Sequence, residues 1–458
     1  MTPRLRFWML GLAAAILFLG AIRLGDLPGF DDAMYSTQAK NIVNHGHWLA
    51  PEIRGVPSME HPPLFVWTQA VFLLAFGKSD PVAKLPAALS AIATVLLIYW
   101  LARRLLDDTL AASVAMFVML ATPYFIKYAG HAMTDVPAAF LFLCAISAWS
   151  SAANNPRWYL AAGVLTAMAL MVRGLVGLAL PAIFVIDLVA CRKRPRIGYV
   201  VTASAFAFVP ITIWYAHFLL QFSGRFVQIH EVWLNKEVFG PLNPSWRRYT
   251  GLPEYLWMIA KSYWPWLPFT IVGIIAVFRE RRRPLFLLLG WIGVVLLLCA
   301  AARSRVLRYM LPAYPAFAIL ATIGLSKLIP RRVLERTMNW APPFALAAAL
   351  AIALFFRPTF HARETRAIAE AQSRTLPPGA TIGFYDKGDP RQDEANEIEW
   401  YGDDVPTEPY TIADLEAALR DGKVKVFLID RATYENRFAA LPHDVIAQAG
   451  HLVTVRLR

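Results

Sequence analysis

Apolar stretches long enough to cross a bilayer recur along most of this chain, and that pattern leaves few folds open. A hydrocarbon core about 30 Å thick admits only α-helices and closed β-barrels, because every backbone polar group inside it needs an internal partner. The stretches match the length of membrane-crossing helices, so the sequence predicts a polytopic α-helical membrane protein. Spans are expected from Phe7 to about Leu24 and near 82–102, 109–126, 133–152, 158–172, 174–190, 199–220, 263–279, 285–302, 306–327 and 339–356. That is about eleven, or up to about thirteen if marginal segments also cross. Leu64–Phe76 is shorter and reads as a re-entrant or interfacial helix. The first stretch follows Arg4 and Arg6 but lacks a small-residue cleavage site, so it is expected to be retained as a span.

Composition agrees, with 57% hydrophobic and 17% charged residues. The formal charge of +13 does not point to nucleic acid, because the basic residues sit in short clusters between apolar spans, where they set topology. With the N-terminus in the cytoplasm, Arg103/Arg104, Arg157, Arg192–Arg194, Arg281–Arg283 and Arg331/Arg332 all fall inside. Arg303, Arg305 and Arg308 are the exception, since the same count puts them at the outer surface. An anionic ligand would account for them, although an ordinary headgroup-binding cluster is the simpler alternative. Cys144, Cys191 and Cys299 are scattered in or beside apolar segments and suggest neither disulfides nor zinc. No Gly-rich phosphate loop or dinucleotide fingerprint occurs.

Three larger pieces are expected on the outer side: residues 25–63, 221–262 and 357–458. The first two are loops of a transmembrane domain covering 1–356. The third reads as a small extracytoplasmic α/β domain. It has an amphipathic helix near 361–375, strands near 380–385, 423–429 and 452–457, and a helix opened by Thr411 with Asp414 three residues on.

The first loop carries Asp31 and Asp32 close to the membrane surface, where a carboxylate is costly unless solvated, paired or used. They could simply cap a helix starting near Ala33. Asp135, in H-A-M-T-D-V-P, could likewise cap the fourth span with Pro137 in its first turn. Both acidic sites and the anomalous arginines fall on one side of the membrane. Carboxylates and guanidinium groups together suit a substrate that has hydroxyls and a phosphate. The loop at 221–262 adds His230 and a dense set of aromatic residues, better read as an interfacial belt. Asp31, Asp32, Asp135 and Glu60 could hold a divalent cation if they converge.

The ordered series D-D-x-x-Y (Asp31, Asp32, Tyr35), G-H-W-L-A-P, G-V-P-S-M-E-H-P-P-L, T-D-V-P, R-G-L-V-G-L-A-L-P, Y-W-P-W and R-Y-M-L-P-A-Y-P resembles the type C membrane glycosyltransferases. That superfamily includes lipid A aminoarabinose transferases and protein O-mannosyltransferases, and the likeness covers about residues 7–328. It implies the type C fold and an inverting transfer of a sugar from a polyprenyl-phosphate donor to an envelope acceptor, with lipid A or a related glycolipid favoured. It also implies an inner-membrane location with the site on the periplasmic or extracytoplasmic face. By the same resemblance Asp31 takes the place of the first-loop catalytic aspartate and Asp135 that of the second acidic residue, so both are expected to be catalytic. The sequence departs from the aminoarabinose transferases at Glu60–His61–Pro62–Pro63, with His61 where they commonly carry Lys.

The expected chemistry follows from the leaving group, a lipid-linked phosphate whose growing charge must be stabilised. Arg303, Arg305 and Arg308 are candidates, with His61 assisting and Asp32, Tyr35, Glu60, His230 and Tyr309 as further substrate-binding residues. Asp31 would deprotonate a hydroxyl acceptor, or would orient a phosphate acceptor. A protein O-mannosyltransferase-like enzyme and a lipid or sugar flippase remain as alternatives. The flippase would place its charges near the bilayer midplane.

Overall fold

A computed structural model describes residues 1–23, 25–27, 30–58, 61–190, 195–234, 251–281, 283–302, 306–356, 363–377, 380, 382–385, 393–402, 407–440 and 442–458. The chain divides into two compact units. One comprises Met1–Arg23, Met59–Phe65 and Lys84–Phe356, and the other Leu24–Ser58, Val66–Ala83 and Arg357–Arg458.

The first unit is helical. Each of the eleven stretches expected to span carries a helix, so this is the multi-pass α-helical fold that the apolar pattern predicts. Among the described residues, six helices are individually long and apolar enough to cross: Pro3–Ile22, Asp80–Leu106, Trp158–Gly177, Ile197–Gly224, Leu307–Leu328 and Arg331–Phe355. A seventh span arises if Thr109–Leu120 and Pro123–Ala129, bent by 62°, are taken together. The difference from eleven has a local cause. Asp135–Ser151, Ala179–Ala190, Leu267–Glu280 and Phe286–Ala301 are largely apolar but shorter than the roughly 20 residues a perpendicular crossing needs. Helix Ile197–Leu234 runs past the expected loop start at 221, with a non-helical break at Ser223.

Glycine lets some of these helices approach closely. Helices Leu267–Glu280 and Tyr314–Leu328 pack on each other, and a Cβ at Gly273 would collide with the Leu320 carbonyl, one at Gly324 with the Phe269 carbonyl. Small residues at such crossings replace the hydrophobic drive that lipid removes. Helix Pro3–Ile22 lies against Arg331–Phe355, and Arg6 donates to the Asn339 side chain at 2.8 Å.

The second unit contains a helix Phe30–His45, a two-stranded hairpin of β1 (Glu52–Ile53) and β2 (Val56–Pro57), and an α/β assembly. The assembly's strands are β3 (Ile382–Tyr385), β4 (Thr407–Tyr410), β5 (Val426–Asp430), β6 (His443–Ala449) and β7 (Leu452–Leu457). They form one sheet ordered β4-β3-β5-β7-β6, in which β3 pairs in parallel with β4 and β5 while β7 runs antiparallel to β5 and β6. Residues of β5 alternate between the faces. Val426 and Leu428 pack with Ile368, Ile382 and Ile398, whereas Phe427 and Ile429 pack with Leu415, Phe438 and Val453. A strand buried on both faces reads as a continuous apolar run, which is what V-F-L-I is. Thr411 caps helix Ile412–Arg420 by accepting from the Asp414 amide, as the S/T-x-x-D/E spacing predicts.

Candidate functional site

Arg173 is the residue around which the charged group of the helical unit is organised. It interrupts the apolar helix Trp158–Gly177 with φ −150° and ψ 65°, a break inside an otherwise helical run. An arginine within apolar surroundings is expensive and needs partners. Its partners lie at the start of helix Asp135–Ser151. The Arg173 guanidinium forms an ion pair with the Asp135 carboxylate and donates to the Thr134 hydroxyl at 3.0 Å. Thr134 makes no capping hydrogen bond of its own, so its hydroxyl is available for this contact.

Asp135 is 1% exposed and occupies the first turn of its helix, where the dipole also favours a negative charge. It is therefore not a bare N-cap: its carboxylate also faces Arg308, whose Nε lies 3.7 Å away. Arg308 is held on the 3₁₀ turn Leu307–Ala313, within R-Y-M-L-P-A-Y-P. The Tyr309 ring lies under both cations, with Arg173 Cζ 4.5 Å and Arg308 Cζ 5.8 Å from its centroid. A planar guanidinium over an aromatic face gains a cation–π attraction and keeps its edge directed at oxygen acceptors. Two guanidinium groups thus share one carboxylate and one ring.

Two further features adjoin this group. A Cβ at Gly174 would sit in van der Waals contact with Pro62 and the Tyr215 hydroxyl, which brings the His61–Pro62–Pro63 motif beside the helix break. The short helix Pro123–Ala129 leads toward Thr134 and carries Tyr124 and Tyr128, whose centroids are 4.9 Å apart, and Tyr128 is 5.1 Å from His131. Tyr124 also stacks with Tyr314 at 6.1 Å.

Asp31, Asp32 and Tyr35 belong to the other unit. Helix Phe30–His45 begins three residues earlier than the expected start at Ala33, so both carboxylates lie inside its first turn rather than capping it. Asp32 is 1% exposed and Asp31 half-buried. Tyr35, three and four residues on, shares their side of the helix and is buried.

Of the residues singled out in the sequence, Asp135, Arg308 and Tyr309 come together, and His61 is half-buried in the same unit. Glu60, Arg303, Arg305 and the His230 side chain lie outside the described residues. Among the described residues no group of three or more His, Cys, Asp or Glu side chains is arranged to hold a metal ion. Arg173 was missed as a site residue. Its signal was present, as a single arginine followed by glycine between two apolar runs.

Comparison with known proteins agrees with this architecture. The family model for dolichyl-phosphate-mannose-protein mannosyltransferases matches residues 60–214. An undecaprenyl phosphate-alpha-4-amino-4-deoxy-L-arabinose arabinosyl transferase from Edwardsiella ictaluri is 26% identical over 317 residues, which is 63% of this chain and 54% of that protein. An uncharacterized protein from Aquifex aeolicus is 24% identical over 71% of this chain and 65% of its own length. The chain thus spans between half and two thirds of these relatives. In fold it is similar to the crystal structure of ArnT from Cupriavidus metallidurans bound to undecaprenyl phosphate, with TM-score 0.77, 19% identity and 98% and 97% of the two chains covered. It also resembles the Archaeoglobus fulgidus oligosaccharyltransferase, with TM-score 0.53, 15% identity and 92% and 68% coverage. In motif series, family-model match, relatives and fold, the chain is similar to the type C membrane glycosyltransferases.

Proposed function

We propose that this protein transfers a sugar from a polyprenyl-phosphate carrier to an envelope acceptor on the outer face of the inner membrane. The observation that carries the reading is the Asp135–Arg173–Arg308–Tyr309 group, in which paired guanidiniums are held at the start of a helix among apolar spans. A carrier phosphate is both the donor's anchor and the leaving group. Fixed guanidiniums bind it as two-pronged donors and stabilise the charge that develops as the glycosidic bond breaks. Asp135 positions the arginines, since its carboxylate is committed to them. Asp31 is assigned as the base that takes the acceptor proton, or orients an acceptor that is already ionised. Attack opposite the phosphate inverts the anomeric centre. His61 assists at the phosphate, and Asp32, Tyr35, Glu60, His230, Arg303, Arg305 and Tyr309 complete the proposed substrate contacts.

The acceptor favoured is lipid A or a related glycolipid, and the relatives named as aminoarabinose transferases support that choice. A protein hydroxyl acceptor is the second reading, and the mannosyltransferase family match favours it. Membranes given labelled polyprenyl-phosphate sugars and fractionated into lipid, polysaccharide and protein separate the two. Label in the glycolipid fraction is expected. Label in protein moves the acceptor to Ser/Thr, and label in no fraction with any donor overturns the transferase reading.

A further inference from the structure

Beyond the acidic residues themselves, the second unit shows what fixes the helix that carries Asp31 and Asp32. Helix Asp393–Tyr401 packs along helix Phe30–His45, and hydrogen bonds link the two over separations of more than 350 residues in sequence. Glu399, only 6% exposed, accepts from the Asn41 side-chain amide at 2.9 Å and from the Arg54 amide at 3.0 Å, both on the same oxygen. Asn41 in turn also donates to the Glu52 carbonyl of the β1–β2 hairpin, at 3.1 Å. Lys40 is buried too, and its ammonium donates to the Glu399 and Gly402 carbonyls at 2.6 and 2.9 Å. Carbonyls at a helix C-terminus lack intrahelical partners and carry the negative end of the dipole, so a cation there is both satisfied and stabilising. Thr37 donates to the Asn396 carbonyl at 3.1 Å. Trp400 and Tyr401 then donate to Asp80 at 2.7 and 3.2 Å, while Tyr401 accepts from the Leu27 amide at 3.1 Å, just before the acidic helix begins.

These contacts grip the acidic helix at its entry through Leu27 and at three successive sites along one side, Thr37, Lys40 and Asn41. A segment held only by its own sequence neighbours would not need buried polar groups at those places, since each costs free energy unless paired. We infer that Glu399, with Lys40 and Asn41, is a positioning element for the reaction: the C-terminal segment sets the placement of the Asp31 helix. This rests on the reading of Asp31 given above. The reason to expect a catalytic rather than a merely stabilising effect is geometric, because displacing a reacting group by about 1 Å can cost on the order of 100-fold in rate. Supporting residues that lock such a group are part of its function.

The test uses the full-length protein in proteoliposomes, with turnover per folded molecule, donor KM and thermal unfolding measured for Glu399→Ala, Glu399→Gln, Asn41→Ala, the Asn41→Ala/Glu399→Ala pair and Asp31→Asn. Glu399→Ala is expected to lower kcat by about tenfold or more, with donor KM unchanged within about twofold. Glu399→Gln keeps a carbonyl oxygen for Asn41 and Arg54 and is expected to restore most of the rate. The double variant is expected to be no slower than the slower single one, because both remove the same contact. Wild-type kcat in Glu399→Ala, or a loss confined to the folded fraction or the melting temperature, overturns the positioning role. So do additive effects in the double variant. Asp31→Asn separates the two ideas. If it is inactive while Glu399→Ala is fully active, only the positioning inference fails. If it is as active as wild type, the assignment of Asp31 itself fails.

Discussion

Asp135 and Asp31 both stand in the first turn of a helix, yet the structure treats them differently. Asp135 is sealed from solvent and engaged by two arginines, one of which breaks its own helix to reach it. Asp31 is half-buried on a helix that is held further along through Thr37, Lys40 and Asn41, by backbone carbonyls and the Glu399 carboxylate of the second unit. A carboxylate that is buried and faces two guanidiniums holds them in place, and removing it leaves both without their shared partner. The roles proposed above, an anchor for Asp135 and a base for Asp31, follow this difference in partners and exposure.

Asp31→Asn is expected to give the largest effect, a fall in kcat of roughly 10²–10⁴ with the melting temperature nearly unchanged, read by donor-dependent transfer and a thermal shift. Asp135→Asn should break the comparison from the other side. Leaving two half-buried guanidiniums without their shared carboxylate is expected to cost up to about 3–5 kcal/mol of stability and raise donor KM, measurable by denaturant unfolding in detergent and by initial rates. If Asp135→Asn instead loses only kcat and stays as stable as wild type, the anchoring role is wrong.

Gly324→Leu is a control without charge. Driving a side chain into the Phe269 carbonyl is expected to cost about 1–3 kcal/mol while the surviving folded protein keeps its turnover. The exposed Asp108–Arg331 pair, at 2.7 Å, should matter least. Burial alone would raise the Asp108 pKa, but the hydrogen bond from Arg331 and the Leu110 amide outweigh it and hold the carboxyl below its ordinary value. A lowered folded-state pKa contributes stability that is present above the unfolded value of about 3.9 and disappears as pH falls through the folded value. With Arg331 mostly in solvent, Asp108→Asn is expected to cost only about 0.2–1 kcal/mol at neutral pH. That difference should shrink in urea melts as the pH is lowered from about 3.9 through the folded value.

Much of the helical unit was legible because apolar length is a long-range-independent signal: each expected span carries a helix, and the boundary read between 172 and 174 falls on the Arg173 break. In the second unit, β7, β5 and the Thr411-capped helix were equally readable from alternation and capping. Strand β4 was not, since T-E-P-Y contains a proline that argues against a central strand, and the structure places it at the sheet edge where proline is tolerated. Helix Asp393–Tyr401 was also missed, being short and rich in acidic and aromatic residues. Its pairing with Lys40 and Asn41 has no local signature at all. The site was half legible. Asp135 and Arg308 follow from helix-start acidity and an anomalous outer arginine cluster, whereas Arg173 falls only at the boundary between two expected spans, and its partners Thr134 and Asp135 lie far from it in sequence.

The most direct test of the central claim is sugar release from a panel of polyprenyl-phosphate sugars by the purified protein in proteoliposomes, with an acceptor extract supplied and wild type compared with Asp31→Asn. Transfer with at least one donor, lost in the equally folded variant, is the result expected. Transfer that is equal in both, or absent with every donor, would contradict the account.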